Sequence, residues 1–79
     1  MSVQTLRELL TAQPFKPFRL VMSSGARYEV RHPDTARLTR SDIFVGVDVA
    51  DDGIPETFKI CSLLHVTAVE PLTSVSGSK

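Results

Sequence analysis

The first apolar periodicity in the chain is helical. Leu6, Leu9 and Leu10 recur at the spacing of one helix face, and Val3 extends it. The pattern predicts a short helix from Ser2 to Ala12. Thr5 and Glu8 have the spacing of a capping box, and Ser2 is the alternative cap for a longer helix. Pro14 stops the helix, because it has no amide to donate and biases Gln13 away from helical angles.

From Phe18 the period becomes two. Phe18, Leu20 and Met22 share one face of a strand, and Ala26 to Arg31 forms a second. Register decides the turn between them. A two-residue turn at Ser24-Gly25 sets Met22 against Arg27 and Leu20 against Glu29. A three-residue loop, Ser23-Ser24-Gly25, pairs Met22 with Ala26, Leu20 with Tyr28 and Phe18 with Val30. Every apolar residue then lies on one face, Arg19 sits opposite Glu29 on the other, and Gly25 takes the left-handed position the loop requires. The three-residue loop is the expected one.

"RHPDTARLTR" is expected to leave the sheet, with a turn at His32-Pro33-Asp34 or one loose helical turn, and Leu38 tucked inward. Ile43 to Val49 reads as a third strand, with Ile43, Val45, Val47 and Val49 alternating. "ADDGIPE" is a turn-rich connector. Thr57 to Cys61 is expected as a fourth strand with Phe58 and Ile60 inward. "SLLH" is expected as a tight turn carrying both leucines into the core, and Val66 to Glu70 as a short fifth strand. Residues 1–71 then make one domain and 72–79 a frayed tail. The fold class is mainly β, α+β: one helix before a bent antiparallel sheet of about five short strands, with closure into a small barrel as one outcome.

In order and length this layout resembles the Sm-like small barrels, which also begin with a helix and place a tight turn before the last strand. Their RNA-gripping residues have no recognisable counterpart here, although "LLHVTAVEP" has a likeness to the end of the bacterial Sm-like RNA chaperone. A second resemblance is to a group of short uncharacterised bacterial proteins. It covers Leu6 to Glu70 and rests on "PFKPFRL", Gly25 in a hairpin, "VRHPD" and "LLHVTAVE". It implies a common fold and brings no activity with it.

"PFKPF" has two readings. The P-x-x-P spacing of Pro14 and Pro17 suits a polyproline ligand, but such ligands are displayed on flexible segments. Between a helix and a strand the stretch reads as a joint: Pro14 stops the helix, Phe15 and Phe18 plug the gap, and Pro17 enters the strand where no donor is needed.

Composition narrows the class. A chain of 79 residues makes at most one domain, and it buries only about 60% of its unfolded surface. Stability then depends on tight packing or on a second subunit. The single cysteine, Cys61, allows no internal disulfide, and "MSVQTLRELL" has no signal-peptide pattern. A cytoplasmic location is expected. No apolar run approaches the ~20 residues of a membrane span. Net charge is zero but uneven. Met1 to Arg40 holds seven basic and three acidic residues, and Ser41 to Lys79 two and six, so the halves are +4 and −4.

Candidate chemistry is thin. Cys61, His65 and His32 are three potential ligands without zinc spacing. A Cys-His nucleophile needs a lowered thiol pKa and an orienting group. Asp51 and Asp52 precede Gly53 as turn formers, and there is no glycine-rich phosphate loop. An enzyme normally needs a concave pocket of some hundreds of Å3, and a domain this small is expected scarcely to enclose one alone. The reading is non-catalytic, with no cofactor, metal, membrane or small-molecule substrate implied.

What is left is surface. Arg19, Arg27 and Arg31 project from the outer face of the first hairpin, Val21 lies among them, and Arg37 and Arg40 lie in the loop beyond. An apolar residue on a charged face points to cover by another element or chain. Phe44, opposite in face to Ile43 and Val45, is a candidate contact, and strand three is the most central by composition. The expected role is a small interaction module working through self-association or a protein partner. The alternative is an Sm-like nucleic-acid binder using the arginines. The neutral charge and the inward placement of Tyr28 and most phenylalanines tell against it.

Overall fold

The structure is a computed structural model and describes residues 1–72. Its elements are α1 (Val3–Thr11), β1 (Phe18–Met22), β2 (Arg27–Val30), β3 (Ala36–Leu38), β4 (Asp42–Val49), β5 (Pro55–Ser62) and β6 (Val66–Pro71). The strands form two antiparallel three-stranded sheets, ordered β2-β1-β6 and β3-β4-β5. This corrects the expectation of about five strands in a single sheet. The described strands do not join into a closed barrel. The expected tail falls, from residue 73 on, outside the described residues.

Ser2 caps α1, its Oγ accepting the Thr5 amide at 3.1 Å, so the longer of the two helix starts is the one adopted. Leu6 is fully buried, and Leu9 and Leu10 pack partly buried beside it. The joint reading of "PFKPF" holds. Phe18 is buried, and the Phe15 ring meets it at 6.1 Å between centroids, tilted by 54°. Tilted aromatic pairs of this kind add about 0.5–1.5 kcal/mol beyond their burial.

The first hairpin has the three-residue loop. Phe18 pairs with Val30, Arg19 with Glu29 and Leu20 with Tyr28, and the Met22 amide donates to the Ala26 carbonyl at 2.8 Å. Gly25 has φ +92°, which glycine adopts without the Cβ penalty of other residues. The chain then crosses to the second sheet through one 3-10 turn, Pro33–Thr35. Thr35 is the buried polar residue of this turn, and its hydroxyl and amide both donate to the His32 carbonyl, at 2.7 and 3.1 Å.

Directly after the turn comes β3, a strand where a loop was expected. Ala36 pairs with Val45, Arg37 with Phe44 and Leu38 with Ile43. β4 is therefore the central strand of its sheet, as its composition suggested. The core lies between the two sheets, built of Leu6, Phe18, Leu20, Val30, Ile43 and Val45, with Met22, Ala36, Cys61, Leu63 and Val66 around them. The two charge halves interleave, because β1 pairs with β6 and β3 with β4.

Two expectations about the second half are overturned. Cys61 lies opposite Ile43, so β5 turns Cys61 inward, and Phe58 and Ile60 lie on the outer face beside Gly46 and Phe44. They are 47% and 64% exposed. In the 3-10 turn Leu63–His65, Leu63 is buried but Leu64 is 89% exposed. A turn of that pitch sends adjacent side chains in different directions, so one leucine alone reaches the core.

Gly46 of β4 lies close under the Pro55 ring of β5. A Cβ there would lie 2.8 and 2.9 Å from Pro55 Cβ and Cγ, and 3.2 Å from the Thr35 carbonyl oxygen. A proline ring and a backbone carbonyl have little freedom to move away. Overpacking of this kind costs about 1–3 kcal/mol, and each kcal/mol lowers Tm by about 4–8 °C in a domain of this size. Gly46→Ala should therefore melt at least about 4 °C below the wild type in a calorimetric scan. An unchanged Tm would show that β4 and β5 are not held this close.

Candidate interaction surface

The seven candidate surface residues separate onto two sheets. Arg19, Val21, Arg27 and Arg31 share the outer face of β2-β1-β6, where Val21 stands between Arg27 and Ala68 on the neighbouring strands. Arg37 and Phe44 are cross-strand partners on the outer face of β3-β4-β5. Arg40 lies in the turn between β3 and β4 and borders a groove shared with Val3, Gln4 and Arg7. No single patch gathers all seven.

On the first sheet the arginines are largely neutralised. Arg19 donates to Glu29 at 3.4 Å on one side and to Glu70 at 3.2 Å on the other, a ladder across all three strands. Arg31 reaches the same Glu29 carboxylate at 2.8 Å through its terminal nitrogen and 3.1 Å through Nε. The Arg31 and Arg19 hydrogen bonds hold the Glu29 carboxyl below its usual pKa. Three arginines therefore face two glutamates, leaving a net charge of about +1 where phosphate binding calls for several free cations. Sequence reasoning found the Glu29 partner but missed Glu70, which lies 51 positions from Arg19 in the chain.

The second sheet is different in kind. Its outer face carries Phe44 against Ile60 and Gly46 against Phe58. Phe44 is half-buried, while Phe58 and Ile60 stand open. Ile54, in the β4–β5 turn, is likewise 64% exposed. Soluble monomers rarely show apolar side chains gathered like this outside a contact site. β5 is also an edge strand, so one whole row of its backbone amides and carbonyls is unpaired.

Two open grooves flank this region. One, of about 460 Å3, runs between β2 and the end of β4 and is bordered by Arg27, Arg31, His32, Glu29 and Asp48. The other, of about 440 Å3, lies beside the end of β5 and is bordered by Met22, Ser23, Tyr28, Ile60, Cys61 and His65. Both are open surface grooves and not enclosed pockets. Asp48 adopts φ +54° at the rim of the first. Such a left-handed conformation is uncommon for residues other than glycine and is best tolerated by Asp and Asn.

Cys61, at the border of the second groove, is not an activated nucleophile. Cys61 is buried, and desolvation, helped by Asp42, pushes its thiol pKa up, the reverse of what attack requires. His65 directs Nδ1 to Ser23 Oγ at 3.4 Å. Among the described residues no three His, Cys, Asp or Glu side chains gather to hold a metal ion, and no helix is long and apolar enough to cross a membrane.

The state of Cys61 gives a direct check. In the folded protein at neutral pH its alkylation by iodoacetamide should be at least about tenfold slower than that of a free thiol, and unfolding in denaturant should restore the rate. Fast labelling of the native protein would show that the thiol is accessible and ionised. Comparison with protein-family models, with curated proteins and with solved structures finds no match to this chain.

Proposed function

We propose that this protein is a small non-catalytic interaction module. It works by offering the outer face and free edge of the β3-β4-β5 sheet to another polypeptide. The observation that carries this reading is the exposure of Phe58 and Ile60 along an eight-residue strand that nothing pairs on its far side. Exposed aromatic and β-branched side chains supply the apolar contact, and the unpaired backbone row supplies hydrogen bonds by strand addition. The contact lies on β5, the neighbour of the strand singled out in the sequence, and it includes Phe44 as the inner border of the patch. The open gap between the sheets fits the proposal that they are two halves of a small barrel left unclosed on this side.

Nucleic-acid binding is the weaker reading, because Glu29 and Glu70 occupy the arginine face. A light-scattering measurement on the eluting peak, with absorbance at two wavelengths, tests both. The protein has one Tyr and no Trp, so bound nucleic acid would dominate its spectrum. The expected result is association, with itself or with a purified partner, that Phe58→Thr with Ile60→Thr reduces at least about tenfold. That factor equals a loss of about 1.4 kcal/mol of contact. The double variant should keep the wild-type circular dichroism, because both side chains are already exposed. Association unaffected by the double variant, or a nuclease-sensitive absorbance excess, would overturn the reading.

A further inference from the structure

Among the described residues four strands have a free edge: β2 and β6 in one sheet, β3 and β5 in the other. Natural sheets defend such edges with shortness, charge or proline. β3 is only three residues long. β2 is four residues long and carries Arg27 and Glu29, with Arg31 following. β6 ends on Glu70 and Pro71. β5 carries Glu56 and Lys59 and has Pro55 at its first position only, so seven of its eight residues retain their amides. It is the longest free edge among the described residues.

The direction of its unpaired groups follows from one bond. The Leu63 amide donates to the Ser41 carbonyl at 2.9 Å, so odd-numbered residues of this stretch bond toward β4. Antiparallel ladders alternate, which turns the amides and carbonyls of Phe58, Ile60 and Ser62 toward the open side. The side chains with the most exposed apolar area on the strand therefore sit on the residues whose backbone is free to bond.

We propose that the occupant of this edge is β5 of a second copy of the chain, antiparallel across a twofold axis at Lys59. The proposal rests on the reading of this face as a contact surface and names its partner. A twofold axis normal to a sheet pairs even residues with even and odd with odd, which leaves few registers. With the axis at Lys59, Phe58 lies opposite Ile60 of the second copy, Ile60 opposite its Phe58, and Glu56 opposite its Ser62. Apolar residues meet apolar, and the carboxylate meets a hydroxyl. With the axis at Phe58, Glu56 falls against Ile60. With the axis at Thr57, Glu56 falls against Phe58. With the axis at Ile60, Phe58 falls against Ser62. The axis at Lys59 is the one register that matches both apolar residues.

The two sheets then join as β3-β4-β5-β5-β4-β3. Phe44, Ile60 and Phe58 of the second copy form one row of side chains across the junction, and the symmetric row completes it. The open groove beside Ile60, Cys61 and Ser62 leaves the end of the edge accessible to the incoming strand. Zero net charge on each copy removes long-range repulsion between them. The one opposing feature is local: Lys59 meets its own copy at the axis, and like charges directly opposite are destabilising. Lys59 thus acts as a guard that keeps the pairing weak and reversible.

The register is testable because the pair at the axis is of the non-hydrogen-bonded kind. Cα atoms in such pairs are about 4.5 Å apart, within the span of a disulfide. In a Cys61→Ala background, Lys59→Cys should yield a covalent dimer under mild oxidation, and Thr57→Cys should not. Light scattering of the wild type over about 10–500 μM should show a reversible dimer, the range suited to an interface below standard size. Lys59→Thr, which removes the guard, should tighten that dimer at least threefold. A wild type that stays monomeric, with Lys59→Thr monomeric as well, overturns the self-pairing. The contact-surface reading then survives only if a separate partner is lost with Phe58→Thr and Ile60→Thr. A dimer that cross-links through Thr57→Cys instead, or that Lys59→Thr leaves unchanged, overturns the register while leaving the contact surface in place.

Discussion

Ile43 is fully buried, and Cys61 lies directly opposite it across the β4–β5 ladder. That pairing fixes the facing of β5. Cys61 is committed to the core between the sheets, and the strict alternation of a strand sends Ile60 and Phe58 outward. A one-residue slip would reverse this, burying two larger side chains and exposing the cysteine. The slip is prevented from both ends. Leu63 is held in the core just beyond Cys61, and Pro55 packs over Gly46, where no Cβ leaves room for another arrangement. The surface chemistry of the second sheet is thus a consequence of how its inner face is filled.

How far the sequence shows this depends on whether two segments constrain each other locally. The first hairpin is readable in full. Both of its strands alternate, Gly25 marks the loop, and a single register satisfies every apolar residue. β5 is readable as a strand but not in its facing. Its larger apolar residues, Phe58 and Ile60, pointed inward by hydrophobicity alone, whereas Cys61 and Leu63 pointed the opposite way. The deciding partner, Ile43, lies across a long turn whose register no local pattern reports. β3 was missed for a different reason. Three residues cannot display a period, and the strand exists because Ala36 and Leu38 complete the inner face next to Val45 and Ile43. Of the candidate site, Phe44 was visible from its position against the alternation. The Arg19–Glu70 pair was not, since it depends on β1 and β6 meeting from distant parts of the chain.

The two sheets divide their outer faces between two kinds of chemistry. On β2-β1-β6 the charges are internally matched, with Glu29 serving two arginines and Glu70 a third contact. Exposed pairs of this kind add only about 0.2–1 kcal/mol each, so they contribute little to stability. On β3-β4-β5 the outer face carries Arg37, Asp42 and Glu56 around a group of apolar side chains. Each sheet draws strands from both halves of the chain, so the uneven charges of the halves are interleaved.

Small size accounts for the apolar surplus. A core between two three-stranded sheets and one short helix is filled by the eleven buried apolar residues, from Leu6 to Val66. Phe58, Ile60 and Leu64 have no room in it. In a larger domain another helix or strand would cover them, since the buried fraction rises with chain length. Here the element that would cover β5 is absent from the described chain, while the other free edges are shorter. Covering this face from outside removes apolar area from water and satisfies the free backbone row in the same step. An edge with both needs is matched best by a strand that has the same two needs, and β5 of a second copy is such a strand.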